Sequence, residues 1–180
     1  GLVTAGAVAG LVRQRMTIGR RVSDATPFGS LRSTPTTVIA EDGVPLHVEV
    51  DELDAPPPAG GRRGRRKDAP PLTVVFAHGY ALNLDCWHFQ RAAYRGLVRT
   101  VFYDQRSHGR SGRSSAENAT IDQLGRDLLA VLDAVAADGP VVVIGHSMGG
   151  MTIVALAEQY PELFGDRIGG VGLISTTAGG

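Results

Sequence analysis

Residues 141–160 read VVVIGHSMGGMTIVALAEQY, and the break after His146 decides how the chain folds. Residues 141–144 are continuously apolar, as a strand is when both its faces are covered. From Met148 the apolar residues recur with helical period, and the pattern stops before Pro161. A buried strand must therefore turn sharply into a helix within Gly145-His146-Ser147-Met148-Gly149, a G-x-S-x-G sequence in the context that motif needs. Such a turn projects the Ser147 hydroxyl clear of its neighbours, as a nucleophile requires. Gly145 and Gly149 remove the Cβ atoms that would clash in the turn, and Gly150 is expected to let the helix pack closely on the sheet. The Met148 backbone N–H falls at the helix start, where unpaired donors and the positive dipole end favour a developing oxyanion. Glycine-rich strand-to-helix turns also cradle phosphates, but this stretch matches neither G-x-G-x-x-G nor G-x-x-x-x-G-K-[ST].

Working outward, strands and helices alternate from Leu72 onward. LTVVFAHG at 72–79 reads as a strand ending in His-Gly, WHFQRAAYRGL at 87–97 as a helix, and RTVFYDQRSHGRSG at 99–112 as a strand entering a Gly/Ser loop. Thr120 and Gln123 form a capping box for a helix whose apolar positions are Ile121, Leu124, Leu128, Leu132 and Val135, and Gly139-Pro140 is its stop signal. GVGLIST at 170–176 is the last strand in view. Upstream, TTVIAEDGVPLHVEV at 36–50 reads as a hairpin about Glu-Asp-Gly, with Val44, Leu46, Val48 and Val50 on one face. The pattern predicts an α/β architecture: a mostly parallel sheet with right-handed crossovers, helices on both faces and an N-terminal β-hairpin. Residues 54–71 lose all periodicity and read as a solvated Pro/Arg-rich insertion.

Three stretches, HG at 78–79, YDQRSHGRSG at 103–112 and GHSMGG at 145–150, stand in the order found in α/β-hydrolase fold proteins, and over residues 36–180 the chain resembles the serine esterase, lipase and peroxidase-like branch of that family. The resemblance implies that Ser147 is the nucleophile and that the backbone N–H groups of Tyr80 and Met148 form the oxyanion hole. It also implies that Asp104, Arg106 and Gly109 belong to a loop that buttresses the site without reacting. A serine at 147 disfavours the dehalogenase and epoxide-hydrolase branches, which carry aspartate there. The family order of triad residues is Ser, then Asp or Glu, then His, yet His47, His78, His88, His108 and His146 all precede Ser147. His78, Asp104 and Ser147 do follow the His, Asp, Ser order of another triad type, but order without geometry is not a triad. Base and acid are therefore expected beyond residue 180, in a domain that is C-terminally incomplete here.

The implied activity is hydrolysis of an ester or similar acyl bond through a covalent acyl-enzyme, the fragment alone being inactive. The alternatives are a cofactor-free peroxidase or perhydrolase, and a non-catalytic binding protein of the same fold. No cofactor or metal is implied: Cys86 is the only cysteine and no Cys/His pair has zinc-site spacing. Lys+Arg and Asp+Glu balance at 18 each, which gives no field for nucleic acid, and the partner that the resemblance implies is a small, apolar ester or acyl substrate. Tyr80, Leu82, Leu84 and Trp87 read equally as an apolar mouth or as core. Residues 1–35 read as an N-terminal extension; its apolar start is too short to cross a bilayer, which takes about 20 residues, but could be the stub of an anchor or signal. Localisation and oligomeric state stay open, with membrane contact possible only through that segment.

Overall fold

The computed structural model describes residues 26–54 and 70–178. The possible anchor stub and almost all of the Pro/Arg-rich insertion lie outside the described residues. Strands β1 (Pro35–Ile39), β2 (Pro45–Asp51), β3 (Thr73–Ala77), β4 (Arg99–Tyr103), β5 (Val141–His146) and β6 (Ile168–Ile174) form one sheet in the order β1-β2-β4-β3-β5-β6. β1 pairs antiparallel with β2, and β2 antiparallel with β4; the β3–β4, β3–β5 and β5–β6 pairs are parallel. The hairpin thus forms one edge of a mostly parallel sheet, as its turn sequence predicts.

Alternation along the central strands sorts the core into two layers. On one face Val75, Ala77, Val101, Tyr103, Val141 and Val143 pack under α2 (Ile121–Val135) and α3 (Met148–Gln159), which supply Leu128, Val131, Leu132, Ile153 and Leu156. On the other, Val74, Phe76 and Phe102 pack against Leu84 and Trp87, next to α1 (His88–Tyr94). Phe76 stacks on Phe102 at 4.9 Å between centroids and meets the Trp87 ring at 5.0 Å. Leu84 and Trp87 are therefore core, whereas Tyr80 and Leu82 stay exposed.

Two local expectations are corrected. The first helical turn begins upstream of Trp87, as a 3-10 turn Leu84–Trp87, because the Asn83 side chain accepts the Asp85 N–H at 2.8 Å and so caps the chain earlier. At α2 only half of the capping box forms: Thr120 Oγ1 accepts the Gln123 N–H at 3.2 Å, while the Gln123 side chain turns to Asp127 and Arg126.

The hairpin carries apolar and charged faces. Leu46 and Val48 are fully buried on the α2 side, with Val50 packed against the same cluster. The opposite face carries His47, Glu49 and Asp51, and its two carboxylates meet Arg91 of α1. Arg91 is 2 % exposed and donates from Nε and Nη2 to Asp51 at 2.9 and 2.7 Å. Its Nη1 lies 2.8 Å from Glu49 Oε2 in an ion pair, and the guanidinium also sits 5.0 Å over the Phe102 ring. Ser33 adds its N–H to Glu49 at 2.9 Å and its hydroxyl to Asp51, binding residues before β1 to the sheet.

Burial works to raise the pKa of both carboxyls. For Glu49 the Ser33 N–H, Arg91 and His47 outweigh it, and for Asp51 Arg91 and Ser33 do, so both end below their ordinary values. Stability from a depressed carboxyl is present above its unfolded pKa and is lost as pH falls through the folded one. The urea midpoint should therefore drop as pH is lowered below about 4, and the Glu49→Gln, Asp51→Asn double variant should show a shallower drop. Parallel pH profiles for the two proteins would show that the pair contributes nothing.

Candidate active site

The turn between β5 and α3 is as abrupt as its sequence demands. Ser147 takes φ +51° and ψ −116°, a conformation that residues with a Cβ rarely adopt. The surrounding hydrogen bonds impose it: Ser147 N–H donates to Ile174 O at 3.0 Å, and its carbonyl accepts from Gly150 N, Met151 N and Thr176 Oγ1. The backbone is thus tied on both sides while the half-buried hydroxyl makes no hydrogen bond to any described residue.

The glycines explain how the turn closes. A Cβ on Gly145 would lie 2.3 Å from Gly149 O, and one on Gly149 would lie 2.1 Å from Ala77 O, at the end of β3. Gly149, rather than Gly150, is what lets α3 approach the sheet; a Cβ on Gly150 would instead strike the Thr176 side chain at 2.5 Å. The same closeness joins the elbow to the turn after β3, since a Cβ on Gly79 would stand 2.8 Å from His146 Nδ1. Tyr80 follows at once, with its side chain 74 % exposed. The Tyr80 and Met148 N–H groups donate to none of the described residues, leaving two unpaired donors on the two adjoining turns.

The loop after β4 holds these turns from below. The buried Asp104 carboxylate accepts Leu84 N–H at 2.7 Å and Arg110 N–H at 2.8 Å, which fastens the segment after Tyr80. Gly109, at φ +52°, leaves room for that carboxylate, which a Cβ would meet at 2.2 Å. Arg106 is bidentate to Asp127 of α2 and to Asp42 of the hairpin turn, and its donors hold the Asp42 carboxyl well below the usual carboxylate range.

Four of the five histidines hydrogen-bond other groups among the described residues. His78 Nδ1 lies 2.8 Å from Gly79 O, while its Nε2 accepts Gln105 N–H at 2.9 Å, so neither ring nitrogen is open to a serine. His108 Nδ1 bonds Arg106 O, His88 Nδ1 accepts Gly29 N–H, and His47 faces Glu49. His146 lies against Gly79. Glu158 is on α3, and Glu162 and Asp166 are in the connection to β6.

Two residues outside the sequence-based set join the site. Gln105 donates from its side chain to His78 O at 2.5 Å, and Thr152 Oγ1 of α3 donates to Gln105 Oε1 at 2.7 Å. Both are fully buried, and local periodicity carries no signal for either.

Residues 74–179, more than half of the chain, match the model of the alpha/beta hydrolase family. Epoxide hydrolase 1 of Caenorhabditis elegans is 34 % identical over 97 residues, covering 53 % of this chain and 24 % of that protein. The monoacylglycerol lipase of Mycolicibacterium smegmatis is 36 % identical over 93 residues, covering 49 % of this chain and 33 % of the lipase. The matches thus span about a quarter to a third of the length of these curated relatives. A thermophilic esterase from Thermogutta terrifontis superposes with a TM-score of 0.62 at 24 % identity, over 81 % of this chain and 46 % of that one, a likeness of fold. By its matched sequence, its sheet order and its strand-to-helix elbow, the chain belongs to the alpha/beta hydrolase family.

Proposed function

We propose that the chain carries the nucleophile and oxyanion donors of a serine hydrolase that cleaves an ester or similar acyl bond. The observation that carries the reading is the unbonded hydroxyl of Ser147, held at φ +51° on the head of α3 beside an unpaired Met148 N–H. Ser147 Oγ attacks the substrate carbonyl carbon and gives its proton to a histidine, and the carbonyl oxygen, now negative, is received by the Tyr80 and Met148 N–H groups. Collapse expels the alcohol, which takes the proton from the histidine and leaves an acyl group on Oγ; water then repeats the sequence to release the acid.

None of the five histidines hydrogen-bonds the Ser147 hydroxyl, and the base and its orienting acid are assigned to residues that follow 180. The lipase relative supports acyl chemistry. The likeness to an epoxide hydrolase is not carried over, because the residue at the elbow is serine. Exposed Tyr80 and Leu82 beside the oxyanion turn favour an apolar group on the substrate.

A protein extending past residue 180 should label covalently with a fluorophosphonate probe, and its Ser147→Ala variant should not. Equal labelling of the two would sink the reading. Residues 1–180 alone should turn over a p-nitrophenyl ester no faster than background; robust turnover would overturn the assignment of the base.

A further inference from the structure

His78 is buried, carries no role in the chemistry above, and is bonded with unusual completeness. Its tautomer follows from its neighbours alone. Gln105 N–H is a fixed donor aimed at Nε2, so Nε2 must be the bare nitrogen; Gly79 O can only accept, so Nδ1 must carry the proton. Burial, with His108 adding to it, pushes the His78 pKa down against the opposing pull of the Gly79 carbonyl and Asp104, which keeps the ring neutral.

The carbonyl that receives this proton belongs to the peptide joining Gly79 to Tyr80. In a trans peptide the C=O and the following N–H point in opposite directions from one rigid plane, and no described peptide is cis. Gly79 O also accepts Leu82 N–H at 3.2 Å, so two donors pin the plane from the carbonyl side. Fixing the carbonyl fixes the line along which Tyr80 N–H points. The same His78 is linked to the elbow helix through Gln105 and Thr152, at 2.5 and 2.7 Å.

We propose that His78 is a positioning residue: its Nδ1–H, held in the one useful tautomer by Gln105 N–H, locks the peptide that ends in Tyr80 N–H and so aims that donor at the developing oxyanion. The proposal rests on the reading of Tyr80 N–H as an oxyanion donor.

The two amide replacements of histidine separate this role from simple packing. In the active full chain, His78→Asn puts an amide N–H near the Nδ1 position, whereas His78→Gln reaches the Nε2 position and leaves Gly79 O without its side-chain donor. His78→Gln should lower kcat about 100-fold with KM changed less than about 3-fold, and His78→Asn should restore kcat to within about 5-fold of the parent. Equal losses in the two variants, a loss carried by KM, or an unchanged kcat in His78→Gln would overturn it. Should either variant fail to fold, long-range proton–nitrogen spectra of the 15N-labelled parent decide: a ring protonated at Nδ1 and bare at Nε2 is expected, and the opposite tautomer rules the proposal out. Failure of the parent to label at Ser147 would count against the hydrolase reading itself; labelling there with unaltered His78→Gln kinetics would count against the positioning role alone.

Discussion

Ser147→Ala should remove turnover by a factor on the order of 10⁴ to 10⁶ while leaving the fold intact. On the reading of Ser147 as the nucleophile, its loss removes the acyl-enzyme, so only the binding and oxyanion contributions of the site would remain. Stability should not fall, because the hydroxyl makes no hydrogen bond that its removal could break. Ser147→Gly adds a sharper test. At φ +51° and ψ −116° a Cβ costs about 1–3 kcal/mol, and glycine escapes that cost at an entropic penalty of about 0.5–1 kcal/mol in the unfolded chain. Ser147→Gly should therefore be the more stable of the two inactive variants by about 1 kcal/mol, or about 2–4 °C in Tm. Thermal unfolding of both variants decides it; an alanine variant as stable as the glycine one would mean the turn stores no strain.

Gly149→Ala should be the most damaging single methyl in the described chain. Its Cβ would lie 2.1 Å from Ala77 O, 2.6 Å from Ala77 C and 2.8 Å from His78 O, all backbone atoms with no rotamer to change. Helix α3 must lift from the end of β3, at a cost of about 3 kcal/mol or more against a total stability of about 5–15 kcal/mol. Whatever folded protein remains should also lose activity, since lifting α3 moves Ser147 and Met148 away from the turn that holds Tyr80. The control is Gly169→Ala: a Cβ there meets nothing within 4 Å, and the change should stay within about 0.5 kcal/mol. Urea denaturation of the pair reads the difference, and similar midpoints would refute the close approach.

Sequence revealed this architecture where its signals are local. The apolar run before Gly145, the glycine spacing about Ser147, and the recurrence of Leu124, Leu128 and Leu132 each describe neighbours along the chain, and each element stands where those signals put it. The start of the first helical turn escaped because a polar side chain, Asn83, caps it before the apolar pattern begins. What stayed hidden is pairwise and distant. Arg91 meets Asp51 across 40 residues, and His78 meets Gln105 across 27. No periodicity marks a buried charge as having a partner. Leu84 and Trp87, which fitted a pocket mouth or a core equally well, are settled by the Phe76 and Phe102 rings they pack against. The sharp turn at Ser147 was readable because backbone geometry follows from glycine spacing, whereas the tautomer of His78 depends on a donor from another strand's loop.

The Arg91, Glu49 and Asp51 cluster also constrains how such a chain can diverge. Replacing Arg91 alone strands two carboxylates in a place water does not reach, whereas losing either carboxylate alone still leaves Arg91 a partner. Arg91 is thus the member of the trio that cannot be lost first. Homologues that keep either carboxylate on this hairpin are expected to keep an arginine at this place in α1, a correlated pattern across descendants that neither the hairpin nor α1 would display alone.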